Sequence, residues 1–89
     1  MAPSENELTF MSLNCEGFHR NEPYIEDILR NKQPDILCLQ ETWLRDGSVS
    51  LQKLCAEHSY LCIAKSGVDC SKYITSGRTP GGVAIVYKQ

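Results

Sequence analysis

The stretch Asp35-Ile-Leu-Cys-Leu-Gln-Glu-Thr-Trp-Leu44 runs a short apolar segment straight into a carboxylate, Glu41, flanked by Gln40, Thr42 and an indole. Apolar strands ordinarily close on turn residues such as Gly, Asn or Pro. A strand that closes on an acid places it at the carboxyl edge of the sheet, where open α/β sheets hold their ligands. Residues 8–14, Leu-Thr-Phe-Met-Ser-Leu-Asn, end similarly on the polar Asn14. Adjacent parallel strands lie about 4.8 Å apart, so neighbouring strands here bring Asn14 and Glu41 within reach of one hard cation or one phosphate. A carboxylate with a neutral amide suits Mg²⁺ (or Mn²⁺), which takes oxygen ligands and keeps waters for substrate phosphates. Such a site polarises a phosphoryl oxygen and neutralises charge developing in an in-line displacement. Strand-end carboxylates also cap helices and pair with Arg, so spacing alone leaves the role of Glu41 open.

Other side chains bear on the same edge. Glu16, two residues beyond Asn14, is a further ligand or a solvated loop acid. Trp43 is a packing lid or a platform on which a base stacks. His19 follows the first strand without an Asp beside it and reads as an exposed loop residue; His58 reads as a helix-end residue. Arg78 either contacts phosphate or faces solvent. No Gly-x-Ser-x-Gly elbow, Walker loop or dinucleotide fingerprint is present.

The elements that must position these groups follow from periodicity. Residues 8–14 form a strand with Leu8 and Phe10 on one face and Met11 and Leu13 on the other. A loop over 15–22 contains Gly17, free to adopt positive φ. Pro23 opens a helix over 24–32 at a position that tolerates its missing N–H. Ile25, Ile28 and Leu29 supply its buried stripe, and Pro34 stops it. Residues 36–40 form the second strand, and strand–helix–strand at this spacing is a parallel βαβ unit. Ser48 or Ser50 is expected to cap a second helix that buries Leu51, Leu54 and Cys55. Residues 60–65 and 82–88 make two further strands around a long polar loop. The order is βαβαββ, with residues 1–7 a flexible tail and 8–89 the folded part.

Strands apolar on both faces belong to sheets covered on both sides, whereas two amphipathic helices lying together cover one. The expectation is therefore a truncated domain, incomplete at its carboxyl end, whose remainder supplies a facing sheet. The alternative is a complete small α/β domain with one helix on each face.

With 89 residues and a net charge of −2, this segment lacks the basic stripe of a strong nucleic-acid footprint, so such contacts would come from residues outside it. Five cysteines, at 15, 38, 55, 62 and 70, form an odd set without a Cys-x-x-Cys pair, and no His/Cys spacing fits a zinc finger. No signal-peptide core and no apolar run of membrane-spanning length is present. A reducing intracellular setting without membrane contact, nuclear in one version, is expected.

Three segments together resemble the endonuclease/exonuclease/phosphatase family: Phe10-Met-Ser-Leu-Asn-Cys-Glu-Gly17, Asp35-Ile-Leu-Cys-Leu-Gln-Glu-Thr42 and Gly81-Gly-Val-Ala-Ile-Val-Tyr-Lys88. The resemblance implies the amino-terminal part of a four-layer, DNase I-like α/β sandwich. It makes Asn14 the active-site asparagine and Glu41 the acid that holds the divalent metal. Many members have Asp two positions after that asparagine, where this chain has Glu16. Gln-Glu-Thr-Trp followed by Gly-Gly-Val-Ala-Ile is similar to endonuclease domains of non-LTR retrotransposons, whereas repair apurinic/apyrimidinic endonucleases usually carry Lys after Gln-Glu-Thr. The implied activity is Mg-dependent phosphodiester hydrolysis with DNA as partner. The family's later Asp-x-Asn and Ser-Asp-His segments have no match among the 89 residues, so the chain by itself is expected to be inactive or nearly so. Phosphoinositide phosphatases, sphingomyelinases and deadenylases share the early motifs, and a non-catalytic binding or relic module is a further class.

Overall fold

Apolar alternation in four short segments resolves into one mixed sheet backed by two helices. The elements are β1 (Phe10–Asn14), α1 (Glu22–Asp27), β2 (Ile36–Gln40), α2 (Ser50–Glu57), β3 (Tyr60–Lys65) and β4 (Val83–Lys88). The computed structural model describes residues 7–45, 48–67 and 81–89; Arg78, Cys70 and all but the last residue of the expected tail fall outside them. β1 runs parallel to β2, with Phe10 opposite Ile36 and Asn14 opposite Gln40. β4 inserts antiparallel between β2 and β3, so the strand order is β1-β2-β4-β3.

Several boundaries differ from the sequence reading for local reasons. β1 starts at Phe10 because Thr9 commits its backbone N–H (2.8 Å) and its hydroxyl (3.1 Å) to the Asp35 carboxylate. α1 starts at Glu22, which leaves Pro23 in the first turn, where no intrahelical N–H bond is lost. After Asp27 the helix widens into a π turn over Ile28–Lys32, closed by the Gln33 N–H on the Ile28 carbonyl at 2.9 Å. Gln33 leaves it at φ 50, consistent with the helical geometry that Pro34 denies its predecessor. Neither Ser48 nor Ser50 caps α2. Ser50 already lies within the helix, Val49 occupies the cap position without a side-chain bond, and the Ser48 N–H is spent on the Arg45 carbonyl (3.1 Å).

Both apolar stripes pack into one core. Ile25, Ile28 and Leu29 meet Leu51, Leu54 and Cys55 over Leu37, Leu39, Ala84 and Val86. The helices therefore share one face, and the alternative of one helix on each face does not hold. The opposite face carries the rows Phe10–Ile36–Tyr87–Leu61, Ser12–Cys38–Ile85–Ile63 and Asn14–Gln40–Val83–Lys65. Phe10, Leu61, Ile63, Val83 and Ile85 are exposed there. Among the described residues no helix is long and apolar enough to cross a membrane.

The edge at the amino ends of β1 and β2 is tied by Asp35. Its carbonyl accepts the Lys88 N–H at 3.1 Å, and Tyr60 donates its hydroxyl to the neighbouring Pro34 carbonyl at 2.6 Å. The two Thr9 bonds hold the Asp35 carboxyl below the usual carboxylate range, with the Lys88 ammonium adding to them. A carboxyl depressed in the folded state stabilises it above the unfolded value of about 3.9 and ceases to do so as pH falls through the folded value. Urea unfolding should thus find Asp35→Asn less stable than wild type at pH 7, the gap narrowing as pH falls below the unfolded value of about 3.9. An equal gap at both pH values would remove Asp35 as the tie.

Candidate active site

Beyond Gln40 the chain continues as a strip, residues 41–43, held from both sides by backbone. The N–H groups of Gly17 and Phe18 donate to the carbonyls of Glu41 (2.9 Å) and Thr42 (2.8 Å). On the other side the Thr42 and Trp43 N–H groups donate to Gly82 (3.2 Å) and Gly81 (2.8 Å). The flanking glycines are required by space. A β-carbon on Gly17 would meet Trp43 Cε3 at 2.7 Å, and one on Gly82 would meet Thr42 Oγ1 at 2.5 Å. Both also sit at positive φ, +104 and +95.

Backbone strain concentrates here. Glu16, Glu41 and Trp43 adopt φ of 47, 54 and 55, a region that costs a residue bearing a β-carbon about 1–2 kcal/mol. Such conformations persist where surrounding bonds over-determine them, and they cluster at functional sites. One consequence is that strand alternation stops at Gln40: Trp43 folds its ring over Gly17 and donates its indole N–H to Glu41 Oε2 at 2.9 Å. Trp43 is half-buried, a packing lid that also orients the acid.

Asn14 and Gln40 face each other across the parallel pair, so Asn14 and Glu41 stand at the carboxyl ends of neighbouring strands with none between. Asn14 Oδ1 accepts the Glu16 N–H at 3.2 Å, and Gln40 Oε1 accepts the Ser12 hydroxyl at 3.2 Å. Asn14, Glu16 and Glu41 are all exposed. The donor set at this edge is hard oxygen and amide, the chemistry expected for Mg²⁺.

The remaining candidates lie elsewhere. His19 is exposed and stacks edge-on against Phe18, ring centres 5.4 Å apart. His58 ends α2, at the edge opposite Glu41, and its Nε2 is 3.2 Å from Glu26 Oε2. Glu26 also pairs with Arg30 at 3.3 Å. Glu57 completes a group whose ligand-type atoms lie within 4.8 Å of one another. That cluster escaped the sequence reading because Glu26 and His58 belong to different helices and share no spacing; it braces α1 against α2. Burial pushes the Cys15 thiol up to about 11. Burial first, then the neighbouring Cys62, pushes Cys55 up to about 12. Both are therefore protonated near neutrality and poor nucleophiles. The sequence reading also missed Thr42, whose side chain is 2% exposed.

The model of the Endonuclease/Exonuclease/phosphatase family matches residues 11–89. No curated protein matches the sequence. Among solved structures, the chain is similar to an AP endonuclease from Archaeoglobus fulgidus, at 22% identity and TM-score 0.71, covering 91% of this chain and 27% of that one. It is similar to the 3′ phosphatase NExo from Neisseria bound to product DNA hairpin, at 22% identity and TM-score 0.69, covering 92% of this chain and 28% of that one. The 3′-5′ exonuclease NExo from Neisseria meningitidis matches at 25% identity and TM-score 0.57, covering 90% of this chain and 26% of that one. The chain thus spans about a quarter of the length of each. The shared fold is DNase I-like, of which these residues form one sheet and the two helices on it.

The glycine contacts predict a specific coupling. Gly17→Ala should destabilise the chain by about 2–4 kcal/mol, from positive φ together with overpacking against the indole. Adding Trp43→Ala should return the overpacking share, so a double-mutant cycle by urea unfolding should show non-additivity above ~1 kcal/mol. Additive behaviour would mean that the ring does not lie on Gly17.

Proposed function

This chain belongs to the endonuclease/exonuclease/phosphatase family, and from that premise we propose that it carries the metal-binding edge of a domain hydrolysing phosphodiester bonds in DNA with Mg²⁺. The observation that supports this most is the placement of Glu41. A strained backbone holds it at the carboxyl end of β2, one carboxylate oxygen takes the Trp43 indole N–H, and the other has no partner among the described residues. A hard divalent ion fits this donor set. Bound there, it would supply charge neutralisation at a phosphoryl oxygen. Asn14 holds its amide oxygen on the Glu16 N–H, which leaves its amide N–H groups to donate to a non-bridging phosphate oxygen. Together the two residues position and polarise a phosphodiester.

Within the family, Trp43 after Gln-Glu-Thr, with Gly81-Gly-Val-Ala-Ile downstream, supports the endonuclease type of non-LTR retrotransposons. DNA as the substrate is further supported by the Neisseria relative, which is described as bound to product DNA hairpin. The exposed apolar face of the sheet is where we place the facing sheet of the whole domain, since contiguous apolar surface of this kind marks an interface. Neither Asp-x-Asn nor Ser-Asp-His occurs in these residues, so nucleophile activation is missing from them. That step and positioning each contribute orders of magnitude to rate. The 89-residue chain alone is accordingly inactive or nearly so.

Calorimetric titration should show Mg²⁺ binding by the wild type that Glu41→Ala abolishes and Asn14→Ala weakens. Supercoiled plasmid with Mg²⁺ should remain essentially un-nicked. Absence of any Glu41-dependent Mg²⁺ heat would reduce the chain to a binding or relic module, and robust nicking lost in Glu41→Gln would overturn the inactivity.

A further inference from the structure

Cys55 lies in the last turn of α2 and Cys62 in the middle of β3, with only a short reversal between the two elements. That reversal is tight. The His58 and Ser59 N–H groups donate to the carbonyls of Cys55 (3.0 Å) and Ala56 (3.3 Å), and Ser59 turns the chain at φ 62. β3 therefore comes back along α2, and the two sulfur-bearing side chains meet between helix and sheet. Cys55 belongs to the core and Cys62 packs against it. The Cys55 thiol hydrogen-bonds the Cys62 side chain, and both cysteines are free thiols. Both also line a cavity of about 320 Å³, together with Gln52, Ala56, Tyr60 and Leu61. Its walls come from α2 and β3 alone, β3 being the outermost strand of the described sheet. Cys62 is the more accessible thiol, half-buried where Cys55 is fully buried.

We propose that Cys55 and Cys62 are a reversible dithiol–disulfide pair, oxidised by low-molecular-weight disulfides of the glutathione class. The Cys62 sulfur, having given its proton to solvent, attacks one sulfur of the small disulfide. A bond from Cys62 to that sulfur forms, the small S–S bond breaks, and one small thiol leaves with a proton from solvent. The Cys55 sulfur then attacks Cys62 Sγ, forming the internal bridge and expelling the second small thiol, which takes up the Cys55 proton. Two protein thiols thus lose two electrons, and one small disulfide is reduced to two thiols. Closure pins α2 to the outer strand and restricts the unfolded chain, which stabilises the native packing. The pair needs no metal ion, so its outcome is separate from that of Glu41.

The test is oxidation of the native 89-residue chain with glutathione disulfide, followed by an alkylating quench and tryptic mapping. Lys53 and Lys65 flank a peptide, residues 54–65, in which Cys55 and Cys62 are the only cysteines, so its mass reads this pair alone. The expected product is that peptide two hydrogens lighter than its dithiol form and alkylated at neither sulfur. Dithiothreitol should restore both alkylatable thiols. Cys55→Ser should stop at a stable glutathione adduct on Cys62, and Cys62→Ser should leave the buried Cys55 unmodified. The oxidised chain should unfold at a higher urea midpoint than the reduced one. A 54–65 peptide that stays fully alkylated, carries glutathione without closing, or is joined only to another cysteine-containing peptide would overturn the pair. So would an equal or lower urea midpoint after oxidation, since the bridge would then not belong to the native packing.

Discussion

Gly17 and Gly82 stand on either side of the 41–43 strip, and the missing β-carbon at each is what lets Trp43 and Thr42 occupy their places. The consequences reach across the whole carboxyl edge of the β1–β2 pair. With Gly17 beneath it, the indole lies flat enough to donate to Glu41 Oε2. With Gly82 beside it, Thr42 is buried while its backbone bonds both neighbours. The three segments that resemble the family are thus a single packing unit, in which the first and third supply the glycines and the second supplies the side chains they accommodate. Strain at Glu16, Glu41 and Trp43 is the counterpart of that arrangement, offset by the four backbone bonds that grip the strip from both sides.

The two edges of the sheet divide the labour. At the amino ends, Asp35, Thr9, Lys88 and Tyr60 lock the strands through side-chain and backbone bonds. At the carboxyl ends, polar groups are left available: Asn14, Glu16 and Glu41 are exposed. Rigidity below and accessible donors above are what a site needs if it is to hold ligands with little reorganisation. Between these edges the sheet has one face closed by the helices and one apolar face open, the asymmetry of a layer made to be packed on both sides.

Much of this was legible from residues alone, because it rests on local pattern. β2 and β3 run over the expected residues, and the stripes Ile25-Ile28-Leu29 and Leu51-Leu54-Cys55 are buried as their spacing requires. The parallel pairing that brings Asn14 alongside Gln40 followed from the helix-length connection between two strands. What was not legible depends on contacts between distant segments. Ser48 and Ser50 look like caps, yet the turn at Arg45 takes the first and the helix absorbs the second. The burial of Thr42 is decided by Gly82, forty residues away, and the Glu26–His58 brace by two helices with no shared period.

The central claim of the proposed function is that a divalent ion is held at the carboxyl edge by Glu41, beside Asn14, and paramagnetic broadening by substoichiometric Mn²⁺ tests it most directly. The account predicts selective loss of the Asn14 side-chain amide signals and of the backbone amides of Glu16, Glu41 and Thr42, with those near Glu26, Glu57 and His58 retained. Broadening centred on that second cluster, with the Asn14 amide left sharp, would contradict it.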